Sequence, residues 1–464
     1  MRNLIRKAPS WIKQPIKYIY GLIPYEKRLG KVFWDTYHFL QESQWWSKEK
    51  LEEYQMRELE KLLNHAYENV PYYRRVFDER GLKPKDIQNL DDLKKLPYLD
   101  KDTIKKHKSE FLSKIHNKAH LEPAQTGGST GSPLHFWYQR GFTNPRELAF
   151  AWRMWNWYGY YWGDKHLTIK GSYEIPEKIR YNPVDKGLYL YNPSISMEKI
   201  KKYHELIEKF KPKVIQGDPS IIYLLAHFML QNDIKIDWPF LKLVYCSSEK
   251  LFDFQRNEIH RAFKCKVYVQ YGHNERLVFM SKCEVNNYYH IISEYGITEI
   301  ISDNRLPLTK DGKMWEIVGT GFNNYAFPMI RYKTEDWAVI SNKICECGRV
   351  FPLVKDIIGR SGDFILTSSK NLISAASIEY AIDCIKNFKD LQIVQKYIDM
   401  IEIQIVPDIL YTKEEGEKFA EDVNTRIGKD MNISIVLMDK IDRPFNQKRR
   451  FIKSDISKEY LGIK

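Results

Sequence analysis

The sequence has no apolar run long enough to cross a bilayer and no cysteine framework of the kind that staples small secreted folds. Its longest aliphatic stretch, around Ile221–Leu230, is broken by His227 and reaches about half of the ~20 apolar residues a spanning helix needs. A transmembrane helix is therefore not expected. Lys13, Pro15 and Lys17 interrupt what would have to be the apolar core of a secretion signal, so none is expected either. Six cysteines in 464 residues, without regular spacing, exclude a disulfide scaffold and make a reducing cytoplasm the expected compartment. Repeats and low-complexity tracts are absent too.

Acidic residues are the scarcer charge, 60 against 73 basic ones, for a net +13. Such an excess raises the question of nucleic acid, and its distribution answers it. Residues 1–31 carry +7 and residues 448–464 carry +4, so the 416 residues between them hold only +2. A basic groove across the body is excluded on charge grounds, and no nucleic-acid partner is expected. At ~150 residues per domain the length allows two or three domains with a sizeable core. The aromatics Trp152, Trp155, Trp157, Tyr158, Tyr160, Tyr161 and Trp162 have few basic neighbours, which favours a core or a pocket wall over a base-stacking platform.

Residues 1–31 mix Lys and Arg with Ile12, Ile16, Ile19, Leu22 and Ile23. That pattern suits either an amphipathic segment on an anionic membrane surface, at the inner face of the membrane, or a basic arm packed on its own domain. Between Lys48 and Asn69 the apolar residues Leu59, Leu62, Leu63, Ala66 and Tyr67 recur at helical spacing, and Pro71 follows. From about 196 to 272 the period alternates. Ser196 caps a helix, Val214–Ile215 reads as a buried strand, and Asp218-Pro219 opens a second helix. Leu241–Tyr245 is a strand, residues 251–263 a helix, and Val267–Gln270 a strand. This alternation predicts a parallel sheet covered on both faces, whose ligands bind beyond the strand ends, at Ser247-Ser248-Glu249 and Tyr271–Glu275. After about residue 364 a helix near Ser377–Ile385, strands at Leu391–Lys396 and Met400–Val406, a helix at Thr412–Ile427 and a strand at Ile433–Met438 predict a separate α+β lobe.

Five segments carry chemistry. In Thr126-Gly127-Gly128-Ser129-Thr130-Gly131-Ser132-Pro133, glycines let backbone N–H groups close on an anion while hydroxyls donate to phosphate oxygens. No lysine follows, which excludes a P-loop, and the glycine spacing excludes a dinucleotide fingerprint. Tyr271-Gly272-His273-Asn274-Glu275 offers a ring for a flat base, a close backbone approach and a carboxylate for Mg²⁺. Asp336, in Tyr332–Asp336, suits ribose hydroxyls, Arg360 suits ribose or phosphate, and Gly362 suits a hinge. Gln447-Lys448-Arg449-Arg450 places basic residues near the end of the second lobe.

In this order and at these separations, the five segments resemble the adenylate-forming (acyl-CoA synthetase/ligase) superfamily. Within it they are most similar to the phenylacetate-CoA ligase branch and its capsular-polysaccharide-biosynthesis and coenzyme-F-type relatives. The likeness spans essentially the whole chain and includes Leu62–Tyr73 and Leu96-Pro97 followed by Asp100-Lys101. It implies an α/β fold: a large N-terminal lobe of parallel and mixed sheets flanked by helices, and a small mobile α+β C-terminal lobe. The expected divisions are a helical region at 1–110, an ATP- and substrate-binding part at 111–358, a hinge at 359–363 and the small lobe at 364–464. The resemblance implies that Thr126, Gly127, Gly128, Ser129, Thr130 and Gly131 cradle ATP phosphates, and that Tyr271 and Gly272 border adenine near Ser248 and Glu249. It implies further that Glu275 holds Mg²⁺, that Asp336 binds the ribose with Arg360 assisting, and that Lys448 bridges carboxylate and α-phosphate, Lys448, Arg360 and Glu275 being the catalytic residues. Gly362 would let the small lobe turn and admit coenzyme A.

The expected reaction is ATP-dependent activation of a carboxylic acid to an acyl-AMP, then transfer to coenzyme A or another acceptor in capsule or cell-envelope polysaccharide synthesis. Direct adenylyl transfer to a phosphate-bearing acceptor, and a nucleotide-binding scaffold on a membrane, are the alternatives. The chain departs from the family pattern at five positions: Ser248 and Glu335 stand where Gly is usual, Asn274 where Thr is, Gln447 where Gly is, and Gly362 where an acid is common.

Cysteine and histidine form a second constellation. In Cys283–His290 the pair Asn286-Asn287 suits a tight hairpin turn, which would set Cys283 opposite His290. Cys345 and Cys347 would lie on one side of an extended segment. Together they make a Cys₃His set for structural Zn²⁺, and related ligases carry similar cysteines here; the alternative is unliganded small hydrophobes.

Overall fold

A computed structural model describes residues 10–126, 134–170, 178–191, 196–235, 237–302, 308–309, 312–360, 364–368, 372–374, 378, 380–427, 431–441 and 450–460. The fold is mixed α/β, with helix-flanked multistranded sheets and a small C-terminal sheet. The chain divides into two compact units. One comprises 1–46, 140–251 and 255–271, the other 47–139, 252–254 and 272–464.

The first unit holds the alternating region. Its strands run in the order Lys178–Asn182, Gly187–Tyr191, His166–Lys170, Val214–Gly217, Leu243–Cys246 and Lys266–Gly272. Every pairing is parallel except the first. Parallel strands need crossovers, and the helices Met197–Phe210, Pro219–Gln231 and Asp253–Phe263 connect the last four of these strands in chain order. Ser196 caps the first by accepting from the Lys199 N–H, and left-handed Lys211 (φ 53°) ends it. Pro219 opens the second, where its missing N–H costs nothing. The strand Leu243–Cys246 is buried throughout, as expected of a strand covered on both faces. Of the aromatic run, Trp152, Tyr158 and Tyr160 pack as core, whereas Tyr161 is exposed. Tyr158 stacks on Tyr268 with centroids 3.8 Å apart, and Trp152 lies against Tyr160.

The second unit begins with the helices Lys48–Asn69 and Pro71–Glu79, the latter again opened by proline. Its main sheet is antiparallel, in the order Gly296–Ser302, Gly312–Gly321, Tyr332–Ser341, Leu353–Arg360, Tyr289–Ile291 and Phe279–Lys282. A separate hairpin pairs Leu121–Gln125 with His135–Gln139. Toward the C-terminus, Asn432–Leu437, Met400–Pro407, Phe388–Tyr397 and Ile452–Ser454 form a four-stranded sheet backed by the helix Lys413–Ile427. Ile393, Ile403, Ile405, Phe419 and Val423 fill the space between them. Of the helix expected near 377–385, the described part is a 3₁₀ segment, Tyr380–Cys384. Phe364 and Leu366 pack with Met314, Trp337 and Ile358 of the main sheet, so the residues after 360 share a core with the strands before it.

Candidate functional site

Thr126 closes the base of the Gly/Ser/Thr loop. Its N–H donates to the Leu134 carbonyl, and its hydroxyl oxygen accepts from the Leu134 N–H, both at 2.9 Å. The two residues are buried and act as a clasp at the end of the hairpin. Gly127, Gly128, Ser129, Thr130 and Gly131 lie outside the described residues. Asn274 ties the acidic segment to the same base: its amide donates to the Gln125 carbonyl at 2.9 Å, and its own carbonyl accepts from the Tyr138 hydroxyl at 2.5 Å. Threonine has no amide with which to make that reach, so the departure at 274 has a structural use. Glu275, next in the chain, is 7% exposed. One carboxylate oxygen lies 3.2 Å from His273 Nδ1, and the other accepts from the Tyr332 hydroxyl at 3.4 Å. Gly272 ends its strand with room for a methyl group, the nearest atom to an added Cβ being 3.8 Å away.

Asp336 owes its position to a bulge. Register between the neighbouring strands passes from Glu316↔Trp337 to Val318↔Lys333, so Thr334, Glu335 and Asp336 together face Ile317 alone. Extra residues deprive the ladder of partners. Thr334 repairs the loss, its hydroxyl donating to the Ile317 carbonyl at 2.8 Å and accepting from the Asp336 N–H at 3.2 Å. At the apex, Glu335 is left-handed (φ 63°). Asp336 pairs in register with Arg360, the last residue of the adjoining strand. The Arg360 side chain, Gly362 and Lys448 lie outside what is described.

In the first unit, Ser248 follows the strand Leu243–Cys246 and is also left-handed (φ 76°). Glu249 accepts from the Ser220 N–H at 3.3 Å, a carboxylate at the positive end of the helix Pro219–Gln231. Tyr271 is the penultimate residue of the strand Lys266–Gly272. Sequence reasoning missed Gly217. A Cβ there would sit 1.8 Å from the Ile169 carbonyl oxygen, at φ +157°, so the turn into Asp218-Pro219 tolerates only glycine. A glycine between a buried strand and a helix-opening Asp-Pro is the signal that marks it.

The Cys/His constellation assembles, by a different route from the one the sequence suggested. The register is Tyr289↔Lys282 and His290↔Ser281, and Cys283 donates its N–H to Tyr288. Cys283 therefore stands opposite Tyr288, not His290. Asn286 is not half of a two-residue turn: its side-chain Oδ1 accepts from the Tyr288 N–H while its Nδ2 amide points at Cys345 Sγ, 2.9 Å away. A slip of two residues keeps side chains on one face, so Cys283 and His290 still converge. Cys345 and Cys347 lie on a turn closed by left-handed Gly348 rather than on an extended segment. The strand bearing His290 is paired on its other side with Leu353–Val354, which draws that turn in. The ligating atoms of Cys283, His290, Cys345 and Cys347 all lie within 4.8 Å of one another. Arg349 and Glu284, 2.8 Å apart and mostly buried, bolt the two loops together. Burial pushes the Cys283 and Cys345 thiols upward.

Comparison with known proteins accounts for this architecture. A family profile described as the CapK C-terminal domain matches residues 365–455. The chain is 26% identical to Protein CapK of Staphylococcus aureus over 413 residues, 87% of this chain and 89% of that one. It is 25% identical to the phenylacetate-coenzyme A ligase of Thermus thermophilus over 339 residues, 70% of this chain and 74% of that enzyme. Among solved structures, 2-hydroxyisobutyryl-CoA ligase in the postadenylation state with 2-HIB-AMP superposes with a TM-score of 0.70. Its identity is 18%, covering 91% of this chain and 94% of that one. In sequence the chain is similar to CapK and to phenylacetate-coenzyme A ligases, and in fold to an adenylate-forming CoA ligase. Among the described residues, no helix is long and apolar enough to cross a membrane.

Proposed function

We propose that the chain activates a carboxylic acid with ATP, releasing pyrophosphate, and passes the acyl group from acyl-AMP to coenzyme A or another acceptor. The observation that carries this reading is the bulge that sets Asp336 beside Arg360. Glu335 holds the left-handed conformation that glycine would take without strain, and non-glycine residues adopt it at a cost of about 1 kcal/mol or more. Here the strained residue lies at the apex of the bulge that sets Asp336, the residue assigned to the ribose.

In this reading Asp336 and Arg360 bind the ribose, Tyr271 with Ser248 and Glu249 borders the adenine, and the loop from Thr126 to Gly131 holds the phosphates. Glu275 offers the hard carboxylate oxygen that Mg²⁺ takes, and Mg²⁺ bound there would neutralise phosphate charge. The substrate carboxylate oxygen attacks the α-phosphorus; the bond to the bridging oxygen breaks and pyrophosphate departs with the electron pair. Lys448 stabilises charge building on the nonbridging oxygens. In the second step the thiol sulfur attacks the acyl carbon, AMP leaves, and the thiol proton passes to solvent. Turning of the 364–464 lobe about Gly362 would exchange Lys448 for the acceptor. A role in capsule or cell-envelope polysaccharide synthesis is proposed from the CapK name alone, the likeness covering 87% of the chain.

We propose further that Cys283, His290, Cys345 and Cys347 hold a structural Zn²⁺. The set supplies four ligands and leaves no position open for substrate, as in closed zinc sites. The Asn286 amide aimed at Cys345 is the kind of outer hydrogen bond that steadies a metal-bound thiolate.

The test of the enzymatic reading is pyrophosphate release over a panel of carboxylic acids with ATP. Lys448→Ala is expected to slow it by about 10³-fold, in line with loss of a transition-state charge partner. Unchanged turnover in that variant, or AMP appearing covalently on a phosphate-bearing acceptor instead of free, would refute it.

A further inference from the structure

The helix Ser10–Leu22 presents an apolar stripe to solvent. Pro15, Tyr18, Ile19, Leu22 and, just past its end, Ile23 are exposed, Ile19 at 66% and Leu22 at 84%. These positions are spaced i, i+3, i+4, i+7 and i+8, one face of an α-helix. In sequence the same spacing reaches back to Trp11 and Ile12.

The other side of the helix is seated on the protein. A Cβ on Gly21 would meet the Pro183 carbonyl oxygen at 2.6 Å, so the helix approaches that turn as closely as glycine allows. Arg28 donates to the adjacent Val184 carbonyl at 2.6 Å and lies over the Tyr25 ring. Seated this way, the helix cannot roll its stripe inward, and the exposure of Ile19 and Leu22 is built into the fold.

Charge identifies the occupant. Residues 1–25 contain no carboxylate, and residues 1–31 carry +7 while the body of the chain is nearly neutral. A second copy of the chain would bring the same +7 against this one and be repelled. An anionic bilayer surface matches both features, accepting the apolar face among its acyl chains and the cations among its headgroups.

We propose that the helix Ser10–Leu22 is an interfacial anchor that docks the protein on membranes rich in anionic lipid. The inference is independent of the reaction the chain catalyses.

Co-sedimentation of the full chain with vesicles tests it. Binding is expected to phosphatidylcholine vesicles containing about one-quarter phosphatidylglycerol, and not to pure phosphatidylcholine; about 0.5 M salt should weaken it. Ile19→Glu with Leu22→Glu should lower the anionic-vesicle affinity by about tenfold or more, with melting temperature and pyrophosphate release unchanged. Three outcomes overturn the proposal: wild-type protein left in the supernatant, equal binding to neutral vesicles, or a double variant that pellets like wild type. So would a dimer, seen by light scattering, that the double variant abolishes, since a second copy would then cover the stripe.

Discussion

The side-chain amide of Asn274 donates to the backbone carbonyl of Gln125, 2.9 Å away and 149 residues earlier in the chain. With the Tyr138 hydroxyl donating to the Asn274 carbonyl, that bond joins the base of the Gly/Ser/Thr loop to the segment carrying Glu275. Asn274→Ala leaves a carbonyl without this donor, a loss of about 1 kcal/mol. The expected result is a small fall in melting temperature with a larger fall, about tenfold, in kcat/KM for ATP, since misplacement at a reacting site is amplified in rate. Equal kinetics in the variant would show that the strap is structural only.

Ser248 and Glu335 adopt φ of 76° and 63°. Ser248→Gly and Glu335→Gly should each raise the free energy of unfolding by about 1 kcal/mol or less, because relief of left-handed strain is partly offset by the entropy of glycine in the unfolded chain. Denaturant titration measures this. Glu335→Val should go the other way, as a β-branched residue tolerates the conformation worst. A destabilised Glu335→Gly would mean that the carboxylate makes contacts worth more than the strain.

Purified protein should contain about one zinc per chain, the stoichiometry of a four-ligand closed site. Cys345→Ser should reduce that content sharply and lower the melting temperature. Strong chelation should do the same to the wild type and leave Cys345→Ser unaffected. Metal analysis finding no zinc, or a chelated protein as stable as before, rejects the site.

Gly217→Ala is expected to be among the most damaging single substitutions in the first unit. Its methyl group would be driven to 1.8 Å from the Ile169 oxygen, between two strands already paired. A cost of about 3 kcal/mol or more is expected from backbone displacement in a packed sheet, measured as a fall in denaturant midpoint. A neutral substitution would show that the strands separate readily there.

What can be read locally in this chain is read correctly in most places. The strands Val214–Gly217, Leu243–Cys246 and Lys266–Gly272, and the helices between them, announce themselves through periodicity, Ser196 and Pro219. These signals act within a few residues, so a linear pattern contains them. The C-terminal strands and the helix Lys413–Ile427 are legible for the same reason. Where the expectation about Cys283 and His290 went astray, the quantity in question was a register. It was decided by Asn286, whose side chain turns away to Cys345, 59 positions on.

The sequence alone determined the composition of the proposed site: the hydroxyl-rich loop, the acids at 275 and 336, the basic residues at 360 and 448, and three cysteines with a histidine. It also determined the excess of positive charge in residues 1–31. Tertiary structure alone decided that Asn274 reaches the loop base, that a bulge repaired by Thr334 sets Asp336, and that a strand paired on both sides gathers three cysteines and a histidine. It also decided which side of the Ser10–Leu22 helix is left bare, by seating Gly21 on Pro183. The division has one physical cause. Residue chemistry and helical or strand period are properties of neighbours along the chain, whereas register, bulges and close backbone approach arise only when distant segments compete for the same hydrogen bonds and the same space.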